Sequence, residues 1–178
     1  MTDFKALQTT QKGDIGERIV LGLLKGWGFR VYHPGEGSHP VDFLAIDRAG
    51  QLTAIDVKTY PRLFSRDQTG IDLADYRSYT RLSKTLQAPV KLFFVDEVER
   101  TVYGQRLDEL SHYRTERNGK VYFPLSQMVV AKSLTDAEVM ELTTLSNVNY
   151  SNYNTVPRYF TSSTGTGEDG GVRGCNPC

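Results

Sequence analysis

Two apolar segments, Val41–Asp47 and Gln51–Thr59, flank the tripeptide Arg48-Ala49-Gly50, and no other feature limits the fold of this chain as much. Three residues is a favoured hairpin loop, and Gly50 suits the left-handed backbone position such a loop needs. If Asp47 pairs with Gln51, opposed residue numbers sum to 98: Ile46 faces Leu52, Leu44 faces Ala54, and Asp42 faces Asp56. The opposite face then carries Phe43, Ala45, Thr53, Ile55 and Val57. Both faces are largely apolar, which predicts a sheet covered on both sides rather than a hairpin with one wet face.

The rest of the chain supplies covers for such a sheet. Ile15, Ile19, Val20, Leu23, Leu24 and Trp27 recur at helical spacing, and Gly26 and Gly28 end that helix. Phe29–Tyr32 reads as a short strand and His33–Pro40 as a Gly/Pro-rich loop. Asp72–Leu86 reads as a helix with Asp72 as its cap and Leu73, Tyr76, Thr80, Ser83 and Leu86 facing inward. Val90–Val95 is a buried strand by composition, and Thr101–Arg106, Val121–Phe123 and Met128–Ala131 are shorter strand candidates. Asp108–Tyr113 reads as a helical turn. A last helix, Asp136–Leu145, follows the cap Thr135, with Glu138 completing a capping box. Helix, three strands, helix, strands, helix predicts an α/β domain with a central mixed sheet flanked by helices. It occupies residues 1–146.

Residues 147–178 differ in kind. Asn, Ser, Thr and Gly make up 17 of these 32 residues, and Val148, Val156, Phe160 and Val172 are their only Leu, Ile, Val, Met or Phe residues. Too little apolar surface is available to offset ordering entropy, so this stretch reads as a flexible or partner-ordered tail, with Tyr150, Tyr153, Tyr159 and Phe160 as anchors for a protein partner. Cys175 and Cys178 supply two ligands where structural zinc takes four, so they read as incidental thiols.

The chemistry concentrates at one end of the hairpin. Directly opposed residues have Cβ atoms about 5 Å apart, and like charges so placed destabilise a sheet. Asp42 and Asp56 stand in that relation, and Lys58 projects from the same face. A divalent cation relieves such a pair, because hard cations favour carboxylate oxygens; solvation or an Asp–Lys ion pair is the alternative. Glu17 lies at the border of the first helix's apolar arc and can point along the sheet towards Asp42, with Gly13 and Gly16 permitting a close approach.

The ordered set Gly13-x-x-Gly16-Glu17, Pro40-Val41-Asp42 and Asp56-Val57-Lys58 resembles the PD-(D/E)XK nuclease superfamily, whose members include restriction endonucleases, archaeal Holliday-junction resolvases and phage recombination nucleases. The resemblance covers roughly residues 10–95. One departure is Val41 between Pro40 and Asp42; another is a second core helix without Gln or Lys at the auxiliary position, where Tyr76, Arg77 and Arg81 are the polar candidates. The resemblance implies a restriction-endonuclease-like core and a metal-dependent nuclease, endo- or exonucleolytic, acting on nucleic acid and on DNA in particular. Glu17, Asp42, Asp56 and Lys58 are its implied catalytic set. Asp42, Asp56, Glu17 and the Val57 carbonyl are the implied ligands of Mg²⁺, or Mn²⁺ in its place, with Lys58 orienting the attacking water.

Charge supports a nucleic-acid partner. The chain carries 21 basic and 21 acidic residues, which excludes a uniformly basic coat. Residues 59–94, however, hold Arg62, Arg66, Arg77, Arg81, Lys84 and Lys91 against Asp67, Asp72 and Asp75, with Tyr60, Phe64, Tyr76 and Tyr79 interleaved. Tyr60, Arg62, Arg66, Arg77 and Arg81 are therefore the expected nucleic-acid contacts. Asp96, Glu97 and Glu99 read as a solvated turn, and His39 as a surface residue. No apolar run approaches the 18 residues of a membrane span, and the first residues lack the layout of a secretory signal. A cytoplasmic protein follows, or a virion protein if the chain is phage-encoded; a homodimer is allowed. The competing reading is a nuclease-fold structural or DNA-binding component of a phage particle or replication complex, docked through residues 147–178.

Overall fold

The computed structural model describes residues 8–34 and 39–145. The expected tail, its aromatic anchors and both cysteines lie outside the described residues. Helix α1 (Gln8–Gly26) leads into β1 (Arg30–Tyr32), the hairpin strands β2 (Phe43–Ile46) and β3 (Leu52–Thr59), and β4 (Gln68–Asp72). Then come α2 (Leu73–Leu86), β5 (Val90–Asp96), β6 (Thr101–Arg106), α3 (Leu107–Ser111), β7 (Thr115–Arg117), β8 (Lys120–Pro124), β9 (Val129–Ser133) and α4 (Asp136–Thr144). No described helix is long and apolar enough to cross a membrane.

The central sheet runs β1-β2-β3-β5-β6-β9, antiparallel except for the parallel pair β3–β5. It is the mixed sheet the sequence predicts. The hairpin register agrees to the residue: Phe43 opposes Ile55, Leu44 opposes Ala54 and Ile46 opposes Leu52. Its turn closes as expected, with Gly50 at φ +84° and Asp47 Oδ1 accepting hydrogen bonds from the amides of Ala49 and Gln51.

Both faces of the sheet are covered. On one, Ile15, Ile19, Val20 and Leu24 of α1 and Leu142 of α4 pack on Phe43, Ala45, Ile55, Val57, Phe93 and Val95. On the other, Tyr79 of α2, with Leu107 and Leu110 of α3, packs on Ala54, Val90, Leu92 and Phe94. Gly16 brings α1 down onto the last turn of β3, because any Cβ there would collide with the Thr59 side chain. Gly13 plays no such part; the space around it is open.

Two features depart from the sequence reading. The stretch after β3 is not all loop. Its end forms β4, which joins β8 and β7 in a second, three-stranded antiparallel sheet beside α2. Gln-Thr-Gly-Ile-Asp has weak strand propensity, and it is the pairing with β8 and the burial of Thr69 and Ile71 that hold it extended. Asp72 occupies the N-cap position of α2 without capping it through its side chain, which pairs instead with Lys120 at 2.8 Å. At α4 the expected capping box of Thr135 and Glu138 is present.

Candidate active site

The site lies where β2 begins and β3 ends. Asp42 directly precedes β2, where the paired register ends with Phe43 opposite Ile55, and its amide donates to the same Ile55 carbonyl at 3.0 Å, one residue out of step with that register. Its carboxylate is fixed as well: Oδ2 accepts the Val57 amide at 2.7 Å. A residue's N–H and C=O point to the same side of an extended strand, so the Val57 carbonyl faces the Asp42 side too. Asp56 sits in the sheet, 4% exposed. Lys58, two residues on, leans back over it, with Nζ 3.1 Å from Asp56 Oδ2 and 3.5 Å from Asp75 Oδ2.

Helix α2 completes the site with a residue that composition does not single out. Tyr79, 3% exposed, donates its hydroxyl to Asp56 Oδ1 at 2.7 Å and accepts Lys58 Nζ at 3.0 Å. The sequence reading places Tyr79 among the aromatics of a basic flank, whereas the structure makes it the strut between acid and lysine. Asp75 and Tyr79, four apart, share the helix face that continues through Leu82 and Leu86, and this periodicity was the available signal.

The electrostatics follow from burial. Burial pushes Asp56 up to about 7, with the neighbouring Asp42 adding to the shift and Lys58 and Tyr79 opposing it. Asp42 is raised by burial too, against the Val57 amide and Lys58. Glu17 on α1 is pushed up to about 7 by burial first, then by Asp42, Asp14 and Asp56, so it lies within the field of the pair. Burial opposes the Lys58 charge, but Asp56 outweighs it and the ammonium is held. Three acids that resist ionisation beside one fixed cation form a site short of positive charge.

Whether a divalent cation fits can be tested on the atoms. Asp56 Oδ2 is buried and accepts no hydrogen bond, since Lys58 approaches it in ion-pair range but off the hydrogen-bond direction. Among the described residues no three His, Cys, Asp or Glu side chains gather tightly enough to hold an ion by themselves. What is offered is two neighbouring carboxylates, a main-chain carbonyl and a third carboxylate farther off. That sparse oxygen set suits Mg²⁺, which retains several of its waters.

The expected nucleic-acid contacts divide. Arg66, Arg77 and Arg81 are exposed. Arg62 is a correction: its side chain is 12% exposed, Nε binds Glu99, Nη1 lies 3.6 Å from Asp67, and its amide donates to Asp96 Oδ2 at 2.8 Å. It braces the loop after β3, and a phosphate would have to displace two carboxylates to reach it. Tyr60 is a second correction. Its hydroxyl donates to the Gly70 carbonyl and its ring packs edge-on against Phe94, so it is not a stacking platform. Asp96 and Glu97 are not a solvated turn either. Both are buried, Asp96 taking the amides of Arg62, Val98 and Glu99, and Glu97 pairing with Lys12. A charge run in sequence does not show which members meet opposite charges in space.

No protein-family model matches the chain, and no curated protein matches it. Among solved structures it is similar to the Holliday junction resolvase of the archaeal hyperthermophile Archaeoglobus fulgidus, over 64% of this chain and 95% of that one, with a TM-score of 0.50 and 12% identity. Over that span the two chains are similar in fold. Sequence identity is far too low to carry anything beyond the fold, so the chemistry must be argued from the residues themselves.

Proposed function

We propose that this protein is a metal-dependent nuclease that hydrolyses phosphodiester bonds of DNA at the Asp42/Asp56/Lys58 site. The observation that carries the reading is Asp42, held by the Val57 amide, next to the buried Asp56 that pairs with Lys58, on a fold similar to that of a resolvase. Asp42, Asp56 and the Val57 carbonyl would hold the cation, and Glu17 would reach it directly or through water. A bound Mg²⁺ or Mn²⁺ supplies polarisation of the scissile phosphate and a water of lowered pKa.

The chain's own residues do the remainder. The Val57 amide holds Asp42 in place, and Tyr79 holds Asp56. Lys58 keeps its proton at working pH and presents a positive charge where negative charge grows in the transition state. Arg66, Arg77 and Arg81 supply charge for the nucleic-acid backbone. A DNA substrate follows the name of the similar resolvase.

The deciding experiment is a panel of duplex, single-stranded, flapped and four-way DNA, with matching RNA, incubated with Mg²⁺ or Mn²⁺. Cleavage by the parent chain that falls about 100-fold or more in Lys58→Met, with the fold intact by circular dichroism, is expected. Equal cleavage by Lys58→Met removes Lys58 from the mechanism.

Tyr79→Phe gives a graded test. The hydroxyl lowers the pKa of Asp56, so its removal raises it further. The rising limb of the pH–rate profile is expected to move to higher pH, with activity near pH 7 down about tenfold and the plateau at high pH largely restored. An unshifted limb means Tyr79 is only a packing residue.

A further inference from the structure

Beside the site is a cleft of about 370 Å³ between the end of β3, the start of α2 and the second sheet. Lys58 forms one wall and Asp75 another, so it opens directly off the proposed reaction centre. The opposite wall comes from the second sheet: Thr69, Gly70 and Ile71 of β4 and Tyr122 of β8. The volume lies in the range of small-ligand clefts, about 300–1,000 Å³. Gly70 shapes it, because a Cβ there would strike the Val121 carbonyl and the Tyr122 ring.

The lining has the chemistry of a nucleobase site. The Tyr122 ring offers an aromatic surface for a flat heterocycle. The Asp75 carboxylate offers an acceptor for exocyclic amino groups, and Lys120 and Lys58 offer donors for carbonyl oxygens or phosphate.

We infer that this cleft receives the base of one unpaired nucleotide adjoining the scissile phosphate, so that the preferred substrate is DNA with an unpaired nucleotide at the cut. The inference rests on the nuclease reading above. A base stacked and paired inside a continuous duplex reaches such a cleft only by flipping out, at a cost of a few kilocalories that a gap, flap or branch point has already met.

The test compares one sequence as continuous duplex and with a single unpaired nucleotide at the cut. The parent chain is expected to cleave the second with kcat/KM at least about tenfold higher. Tyr122→Leu is expected to erase that preference while leaving duplex cleavage unchanged. Lys120→Ala, at an exposed position of the cleft rim, keeps the test usable if Tyr122→Leu folds poorly, and is expected to reduce the preference. Equal rates on the two substrates, or a preference indifferent to both variants, overturn the inference but leave the nuclease reading standing. A binding arm separates the two further. 2-Aminopurine placed beside the cut, in complex with Asp56→Asn protein, is expected to change its emission at one position only, and to lose that change when Tyr122→Leu is added. If the parent chain cleaves nothing in the panel, the nuclease reading fails, and the 2-aminopurine signal alone decides the cleft: a position-specific change supports it, and none overturns it.

Discussion

The Asp56→Asn protein is expected to fold, to differ from its parent by no more than about 1 kcal/mol in stability, and to lose cleavage by about a thousandfold. The two halves of that expectation have separate causes. Asn keeps the shape of the side chain and can still accept the Tyr79 hydroxyl, so the packing of α2 on β3 survives. Removing a carboxylate that burial already pushes up to about 7 relieves desolvation and repulsion from Asp42. Against this, Lys58 loses an ion partner, and orphaning a buried charge is normally severe. Here Lys58 retains Asp75 and the Tyr79 hydroxyl and is partly exposed, so the loss is softened. Activity has no such compensation, because Asp56 Oδ2, a buried oxygen that accepts no hydrogen bond and has the Lys58 ammonium beside it, loses its charge in the variant. Mg²⁺-dependent cleavage that persists in well-folded Asp56→Asn would remove the site assignment altogether.

The second large effect is a pH-dependent response to metal. Asp56 and Glu17 are each raised to about 7 in the folded chain, from ordinary values of 3.8 and 4.5. The folded state therefore binds these protons more tightly than the unfolded one. The stability linked to them is complete below about pH 4 and is lost as pH rises through about 7. A cation between the carboxylates takes over the role of those protons. Mn²⁺ at a hundred times its Kd is thus expected to add about 2.7 kcal/mol at pH 8, which for a chain of this size is a Tm increase of roughly 5–10 °C. At pH 5 the protons hold the site and the increase should nearly vanish. Asp42→Asn should abolish it at both pH values. Differential scanning fluorimetry at matched ionic strength reads all of these. A shift equal at pH 5 and pH 8, or one that survives in Asp42→Asn, would place the metal elsewhere.

The parts of this site that the sequence made legible are those governed by short-range rules. The β2–β3 register follows from loop length and the two-residue period of a strand; the pairing ends at Phe43 opposite Ile55, with Asp42 next to it and within the field of Asp56. The capping box of α4 is equally local. What escaped depends on distant partners. Tyr79 lies 23 residues from Asp56 and could equally have faced solvent from its helix. Arg62 looked like a phosphate ligand until Glu99, 37 residues on, claimed its guanidinium. The strand β4 exists because β8 pairs with it; with its Gly and its polar ends it has no strand signature of its own.

The turn Arg48-Ala49-Gly50 lies at the far end of the hairpin from the two carboxylates, on the surface, and touches nothing in the site. Yet its length sets the β2–β3 register, and with it where the chain entering β2 places Asp42 relative to Asp56. One residue more or fewer, taken up as a slip of β2, would turn Asp42 to the α1 side and leave Asp56 facing an apolar neighbour. The turn is therefore a gauge block: a spacer whose composition can drift freely while its dimension cannot. Among proteins of this architecture, a hairpin loop that changes in length without a compensating bulge would mark a chain that has kept the fold and given up the chemistry.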